Sequence, residues 1–361
     1  MSDLLFARPL MSLRTASPAL LAALLFGAST PLAKALTGAM SPLLLAGLLY
    51  LGSGMGLALV LMARHFWFPP GAGSERGGVP RAEVPWLLGA IVAGGIAGPA
   101  LLMSGLVATS AASASLLLNV EGVLTAVIAW VVFKENADRQ IVLGMIAIVI
   151  GGLLLSWQPG SLRMSSGALL IVAACLCWAI DNNLTRKVSS NDALLIACLK
   201  GLVAGLCNTG LALAQGATLP PVHALAGAMA VGFAGYGVSL ALFVVGLRLL
   251  GTARAGAYFS VAPLFGVLVS FLIWPDVPGT VFWLAAACMA LGVWLHLRER
   301  HEHEHVHEPL AHSHSHRHDA HHQHEHDFPW DGREPHRHWH AHPVLVHRHP
   351  HYPDVHHRHS H

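Results

Sequence analysis

The stretch Gly105–Glu135, GLVATSAASASLLLNVEGVLTAVIAWVVFKE, decides the fold because the chain contains it twice. The second copy, Gly246–Asp276, reads GLRLLGTARAGAYFSVAPLFGVLVSFLIWPD and lies 141 residues after the first. Both copies place small residues before an apolar helix that Gly or Pro interrupts, and both end on an acidic residue. A repeat of this length in so apolar a chain indicates the duplication of a helical membrane bundle.

The composition excludes an ordinary soluble domain. Of the 361 residues, 54% are hydrophobic and only 11% are charged, whereas soluble domains carry about 25% charged residues. The body of the chain consists of apolar runs close to the length of about 20 residues that a membrane-spanning helix needs. The net charge of +2 gives no sign of nucleic-acid binding, because the cations lie in short loops between apolar runs. We therefore expect the lipid bilayer as a partner and no nucleic acid.

The apolar runs predict an all-α membrane protein with ten transmembrane helices. The predicted spans are 16–37, 41–63, 84–104, 107–133, 140–157, 166–186, 192–214, 225–247, 253–274 and 279–297. Lys and Arg gather in the loops that face the cytoplasm if the N-terminus does, and the opposite loops hold only Arg163. We therefore expect a multi-pass protein of the inner or plasma membrane with both termini in the cytoplasm.

Each copy of the repeat contains five predicted helices, so the second copy enters the membrane from the opposite side. The loop charges agree with this inverted topology: Lys134 and Arg139 follow the fourth helix, but the matching loop after the ninth has no cation. Inverted repeats are usual in secondary transporters, where the substrate site lies near the bilayer midplane at the repeat interface.

Several segments resemble the EamA family of the drug/metabolite transporter superfamily. They are LLFGASTPLAKAL (24–36), SPLLLAGLLYL (41–51), SAASASLLLNVEGVLTAVIAWVVFKE (110–135), GLRLLGTARAGAYFSVAPLFGVLVSFL (246–272) and MALGVWL (289–295). The resemblance covers about 16–297 and implies two EamA repeats, 16–157 and 158–298, after a cytoplasmic segment 1–15. It leaves the substrate open, because the family moves chemically diverse metabolites.

Glu121 lies near the centre of the fourth predicted span, where a charged group costs about 2.5 kcal/mol or more to insert. We therefore expect it to face the bundle or a cavity, and one interpretation is that it binds and releases a proton during transport. The alternative is a structural carboxylate that a neighbouring helix hydrogen-bonds. Helical spacing puts Asn119 on nearly the opposite side and aligns Glu121 with a stripe of Ser110, Ala114, Leu117 and Thr125.

Asp181 and Lys200 lie in the sixth and seventh predicted spans, which form an antiparallel hairpin. Counted from the turn at about 1.5 Å per residue, the two side chains have similar depths, so the sequence predicts an ion pair. The pair is either a gate or substrate clamp, or a mutual neutralisation of buried charge. The adjacent Asn182 is predicted, with Asn119, to assist at the substrate or proton pathway.

Residues 299–361 hold 23 of the 26 histidines and too few apolar residues for a packed core, so we expect a disordered cytoplasmic tail. Neutral imidazoles bind Zn²⁺, Ni²⁺ and Cu²⁺, which makes this tail a candidate for binding a divalent transition metal. The alternative is a compositional expansion without a metal role. The candidate ligands are His301, His303, His305, His307, His312, His314, His316 and His318.

Three functions are open at this point. The preferred one is secondary active transport, and specifically export, of a small organic metabolite or amino-acid-like solute, with possible proton coupling. The second is efflux of a divalent metal (Ni, Co or Zn) with the tail as collector or sensor, although no histidine lies at the centre of a span. The third is a non-transporting sensor. The sequence has no nucleophile–base or cofactor motif, so we expect no enzyme and no required cofactor, and it leaves a homodimer open.

Overall fold

The computed structural model describes residues 13–67, 79–133, 139–156, 165–188, 192–250, 259–275 and 278–298, and the segments 302–307, 310–316, 336–342 and 345–350. The chain divides into two compact units, Met1–Glu299 and Arg300–His361. The acidic ends of the two copies, Glu135 and Asp276, and the predicted ligands His301 and His318 lie outside the described residues.

The first unit is all-α in its described part, and helices occupy all ten positions that the sequence predicts. The first five are α1 (Leu13–Leu36), α2 (Pro42–Trp67), α3 (Val84–Val107), α4 (Ala111–Leu117 followed by Asn119–Phe133) and α5 (Arg139–Ser156). The other five are α6 (Ser166–Thr185), α7 (Ala193–Ala214), α8 (Val222–Gly232 continuing to Leu250), α9 (Ala262–Ile273) and α10 (Thr280–Arg298).

Seven of the described helices are long and apolar enough to cross a membrane, namely α1, α2, α3, α4, α6, α7 and α8. The apolar parts of α5, α9 and α10 are shorter, so their crossing of the bilayer stays a prediction. Large apolar side chains lie on the outside of the bundle: Leu272 is 83% exposed and Leu59 is 63% exposed. Such a surface suits lipid tails as its solvent.

Polar residues set the starts of two helices that carry candidate site residues. The Ser110 hydroxyl accepts a 3.2 Å hydrogen bond from the Ser113 backbone N–H at the start of α4. The Asp192 carboxylate accepts one of 3.0 Å from the Leu194 N–H at the start of α7. Both side chains satisfy backbone donors that the first turn of a helix leaves free.

Helices α3 and α8 each contain a π-helical turn, Ile91–Ala97 in α3 and Phe233–Val238 in α8. The two turns are related by nearly the same offset as the two sequence copies. A π-turn is rare and often marks a functional site, because its wider winding changes the register of the backbone hydrogen bonds. Its presence at equivalent positions shows that the duplication extends to this irregular feature.

Equivalent helices of the two halves make equivalent contacts. Helix α1 packs on α8 and α9, and its counterpart α6 packs on α3 and α4. The equivalent helices α2 and α7 pack on each other, as do α5 and α10. Glycines allow the α2–α7 contact: a Cβ at Gly201 would lie 2.7 Å from the Cα of Gly54. Close backbone approach at small residues is typical of membrane helix pairs.

The described segments of the second unit are four strands, β1 (Glu302–His307), β2 (Leu310–His316), β3 (His336–His342) and β4 (Leu345–Pro350). Strand β1 pairs antiparallel with β4, and β2 pairs antiparallel with β3. These segments depart from the predicted disorder. Their residues alternate His with another type, and a period of two is the period of a strand. The rest of the predicted disordered tail lies outside the described residues.

Candidate transport site

Helix α4 is interrupted at Leu118, and this break positions two predicted site residues. The Glu121 N–H donates to the Leu118 carbonyl over 3.1 Å, one residue short of the α-helical register, and the second segment begins at Asn119. Glu121 therefore lies in the first turn of the second segment of α4. Discontinuous helices of this kind form substrate and ion sites in transporters.

Glu121 contacts the second repeat through Asn182. The Asn182 side-chain N–H₂ donates to the Glu121 Oε1 over 2.9 Å and approaches the Thr125 hydroxyl at 3.4 Å. The stripe of α4 that carries Glu121 and Thr125 thus faces α6, and Glu121 is half-buried there. Since α4 belongs to the first repeat and α6 to the second, this contact lies at the repeat interface.

The structure brings Asp181 and Lys200 together. The Lys200 Nζ lies 2.6 Å from each Asp181 carboxylate oxygen, and the Thr185 hydroxyl donates to the Asp181 Oδ1 over 2.8 Å. The Asp181 side chain is 8% exposed and the Lys200 side chain 17%. Burial strengthens the attraction because little water screens it, but it also makes either partner costly when alone.

Asn119 does not join these residues. Its side-chain N–H₂ donates to the Leu116 carbonyl of the same helix over 2.9 Å. This bond satisfies a carbonyl next to the break at Leu118, so the structure gives Asn119 a local role in α4. A part for Asn119 in the substrate pathway stays a prediction.

The sequence did not single out the group that surrounds the Gly94 carbonyl. The Tyr50 hydroxyl and the Trp178 indole N–H each donate to this one oxygen over 2.9 Å. Gly94 lies in the π-turn of α3, and Trp178 lies one turn before Asp181 in α6. The pair Gly94–Gly95 within VAGGIAG was the available signal, but glycines at simple packing contacts look the same in a sequence.

Aromatic rings extend from Tyr50 toward the other helices of the bundle. The ring centroids of Tyr50 and Tyr236 are 5.6 Å apart, and Phe26 lies 5.9 Å from Tyr236 and 5.4 Å from Phe259. These separations lie in the range of favourable aromatic pairs. These rings form an aromatic cluster from α1 (Phe26), α2 (Tyr50), α8 (Tyr236) and the residue Phe259 that precedes α9.

The ionisable groups at this site have different kinds of partner. Asp181 and Lys200 neutralise each other, whereas Glu121 accepts a hydrogen bond from a neutral amide and forms no ion pair with the described Lys and Arg side chains. An isolated carboxylate in a region of low dielectric constant can change its protonation state without breaking a salt bridge.

Two further cations lie away from this site. The Lys34 Nζ donates to the Leu106 carbonyl and, over 3.2 Å, to the Val107 carbonyl at the C-terminal end of α3. Lys34 also lines a cavity of about 350 Å³ with Ser110, Ser270 and Trp274. Arg64 at the end of α2 forms an ion pair with Asp192 at the start of α7. Within the described helices, no three His, Cys, Asp or Glu side chains are grouped to hold a metal.

Comparison with known proteins decides the family. The EamA-like transporter family matches residues 14–157 and again 165–298, which together cover the ten helices. The chain belongs to this family. The two matches agree with the duplication in the sequence and with the equivalent helix contacts in the two halves. The EamA membership and the seven long apolar helices establish a multi-pass membrane protein of a transporter family.

Relatives from two organisms are themselves named transporters. An "Uncharacterized transporter" of Methanothermobacter thermautotrophicus is 26% identical over 263 residues, covering 70% of this chain and 77% of its own. The "Uncharacterized transporter YyaM" of Bacillus subtilis is 25% identical over 206 residues, covering 53% of this chain and 66% of its own. A solved crystal structure covers 77% of this chain and 95% of its own at 20% identity and a TM-score of 0.53, which shows a shared fold.

Proposed function

We propose that this EamA protein is a secondary active exporter of a small organic, amino-acid-like solute, and that Glu121 couples transport to a proton. One observation carries the proposal: the hydrogen bond from Asn182 to Glu121 joins the two repeats beside the Asp181–Lys200 pair. In an inverted-repeat transporter the repeats rock against each other around a central site. A carboxylate at their contact then experiences a different environment in each state.

The coupling follows from what Asn182 can bind. Its N–H₂ stabilises the carboxylate form of Glu121 while α4 and α6 are in contact, because a charged acceptor forms the stronger hydrogen bond. When the repeats separate, this donor is withdrawn and the protonated form becomes less unfavourable. Protonation and the relative position of the repeats therefore depend on each other, as proton coupling requires.

The solute class follows from the neighbouring charges. An amino-acid-like solute has a carboxylate that can replace Asp181 on Lys200 and an ammonium group that can bind Glu121 or Asp181. The Tyr50 and Trp178 rings border the same charged groups and suit the apolar part of such a solute. A solute with a single charge would leave one member of the buried pair without a partner, at a cost of several kcal/mol.

The membrane topology in this proposal has ten crossings, with residues 16–157 and 158–298 as inverted repeats and both termini in the cytoplasm. The distribution of Lys and Arg supports this orientation. The exchange of helix contacts between the halves supports the relation of the repeats.

The test uses the full chain in liposomes with a pH gradient and radiolabelled amino acids, offered one at a time. We expect gradient-dependent accumulation of at least one amino acid, loss of that dependence in Glu121→Gln, and normal transport in the control Glu83→Gln. Cells preloaded with the same amino acid then give the direction. Accumulation of none of the amino acids, or an unchanged pH dependence in Glu121→Gln, would contradict the proposal.

The tail supports a second, narrower proposal, that it binds a divalent transition metal. The register of β2 and β3 places His312 opposite His340, His314 opposite His338 and His316 opposite His336. Opposite residues of an antiparallel pair share one face and have their Cβ atoms about 5 Å apart. Imidazole is a common ligand of zinc and nickel, so this pair of strands is the part of the tail that we propose to bind the metal.

If the cargo were a metal, the protein would be a metal-efflux transporter and the tail would collect or sense the metal. The experiment compares Ni²⁺, Zn²⁺ and Co²⁺ in cells that make the full chain, the chain truncated after Arg300, or Glu121→Gln. Equal metal contents in all three favour the organic solute and leave the tail as an accessory. A lower metal content that depends on Glu121 would overturn the solute proposal.

A further inference from the structure

Helices α3 and α6 cross at Gly94 and Asp181, and the crossing leaves no room for a side chain on α3. A methyl group at position 94 would overlap the Asp181 carboxylate and also its Cβ. Rotation of the aspartate could move the carboxylate but not the Cβ, so a larger residue would have to push the helices apart. Asp181 can therefore lie this close to α3 only because Gly94 has no side chain.

The backbone around Gly94 is bonded to the helices that carry the charged pair. Its carbonyl accepts hydrogen bonds from Tyr50 of α2 and Trp178 of α6, each 2.9 Å long. Asn208 of α7 donates to the next two carbonyls of the π-turn at 3.4 and 3.2 Å. These carbonyls are accessible because the π-turn changes the hydrogen-bond register of α3. The turn thus connects α2, α6 and α7, and Lys200 lies on α7.

The duplication provides an internal comparison. Gly235, in the π-turn of α8, corresponds to Gly94 at the offset of 141, and Ser29 of α1 corresponds to Asp181 at the offset of 152. A Cβ at Gly235 would lie 2.5 Å from the Ser29 Cβ, so the close crossing is present in both halves. Only the α3–α6 crossing carries an ion pair, because the counterpart of Lys200 is Leu48.

We propose that Gly94 is a positioning residue that holds the Asp181 carboxylate on the Lys200 ammonium. The absent side chain sets the approach of α6, and the carbonyl fixes Trp178 one turn before Asp181. The inference rests on the proposed function in one respect, namely that the Asp181–Lys200 pair binds the solute. The claim that Gly94 sets the pairing of Asp181 with Lys200 can be tested without a transport assay.

The experiment measures how fast Lys200 reacts with acetic anhydride in the full chain reconstituted in lipid nanodiscs, read by mass spectrometry of the Lys200 peptide. The reagent must reach the amine, and the pairing with Asp181 leaves the Lys200 side chain only 17% exposed. We expect Gly94→Ala to raise the rate severalfold, because a side chain at position 94 displaces Asp181 and uncovers the Lys200 amine. Asp181→Asn is the positive control and should give a similar rise.

Two matched glycine variants separate this effect from general damage to packing. Gly89 lies five residues before Gly94 in α3. A Cβ at position 89 would lie 3.1 Å from the end of the flexible Leu184 side chain, so we expect an unchanged Lys200 rate in Gly89→Ala. Gly235→Ala disturbs the equivalent crossing without the ion pair, so we expect lower thermal stability and an unchanged Lys200 rate. A wild-type rate in folded Gly94→Ala, or an equal rise in Gly235→Ala, would overturn the proposal.

Tyr50→Phe covers the case in which Gly94→Ala does not fold. It removes only the hydroxyl that binds the Gly94 carbonyl, and we expect a smaller rise in the Lys200 rate. No rise in Tyr50→Phe would then count against the proposal. Because the labelling does not depend on solute or proton movement, a failure of the transport proposal leaves its result unaffected.

Discussion

Asn182 of the second repeat donates a 2.9 Å hydrogen bond to the Glu121 carboxylate of the first repeat. The contact lies next to an ion pair built entirely within the second repeat, between Asp181 and Lys200. One ionisable group is thus hydrogen-bonded across the two repeats, and the other two lie together on neighbouring helices of the second repeat.

Glu121→Gln should abolish the response to a pH gradient and leave the fold intact. Glutamine keeps an oxygen that accepts the hydrogen bond from Asn182, so we expect the free energy of unfolding to change by no more than about 1 kcal/mol. It cannot release a proton, so the transport rate should become independent of the gradient. Thermal unfolding in detergent and gradient-driven transport in liposomes check the two parts.

Asn182→Ala, in contrast, should lower the stability of the protein. The variant leaves the half-buried Glu121 carboxylate without its donor, for which we expect a loss of about 1 kcal/mol, the lower end of the cost of an unsatisfied buried group. Thermal unfolding at neutral pH measures this loss. A double variant with Glu121→Gln should recover part of it, because a neutral amide tolerates a missing partner better than a carboxylate. Strict additivity of the two single variants would show that the side chains do not interact.

Neutralising one member of the buried ion pair should destabilise the protein strongly. Asp181→Asn leaves Lys200 as an uncompensated buried charge, for which we expect a loss of about 3 kcal/mol or more. Exchanging the charges, Asp181→Lys with Lys200→Asp, should restore most of the stability but no transport. Unfolding curves and liposome transport are the measurements. Full recovery of transport by the exchange would show that the pair only neutralises buried charge.

The Arg64–Asp192 ion pair should make stability depend on acid pH. Burial opposes ionisation of Asp192, but the hydrogen bond and charge of Arg64 outweigh it and lower the pKa of this carboxyl. A lowered pKa stabilises the folded state above the ordinary value of about 3.9, and this contribution disappears as the pH falls through the lowered pKa. Both side chains are 31% exposed, so we expect about 1 kcal/mol or less.

Asp192→Asn isolates this contribution, because asparagine still accepts the hydrogen bond from Leu194 that begins α7. The variant should be less stable than the wild type at pH 6 and equally stable near pH 2. Thermal unfolding between these values measures the difference. A stability difference that stays constant across this range would show that the charge of Asp192 is not the cause.

Lys34→Met should weaken the end of α3 without affecting the transport site. Lys34 donates to two carbonyls in the last turn of α3, where a cation stabilises a helix by up to about 1 kcal/mol. We expect a loss of this size in thermal unfolding and an unchanged reaction rate of Lys200 with acetic anhydride. Lys34→Arg keeps a cationic donor and should behave like the wild type.

The sequence by itself determined the membrane class, the positions of the ten helices, the duplication and the family. These features depend on apolar runs, on Gly, Pro and charged residues at their ends, and on a repeat visible as a constant offset. Each is a property of residues close along the chain or of a comparison between two segments. The pairing of Asp181 with Lys200 was also predictable by counting residues to a turn, because a helix rises by a fixed amount per residue.

The tertiary structure alone decided which faces of these helices meet. Whether Asn182 reaches Glu121, and whether Asn119 bonds its own helix instead, depends on the rotation of α4 and α6 about their axes. That rotation is set by packing over the whole interface, including the close approach at Gly94 and the irregular winding of the π-turn. Apolar side chains surround most of each membrane helix, so the hydrophobic pattern that orients a soluble helix is too weak here to fix it.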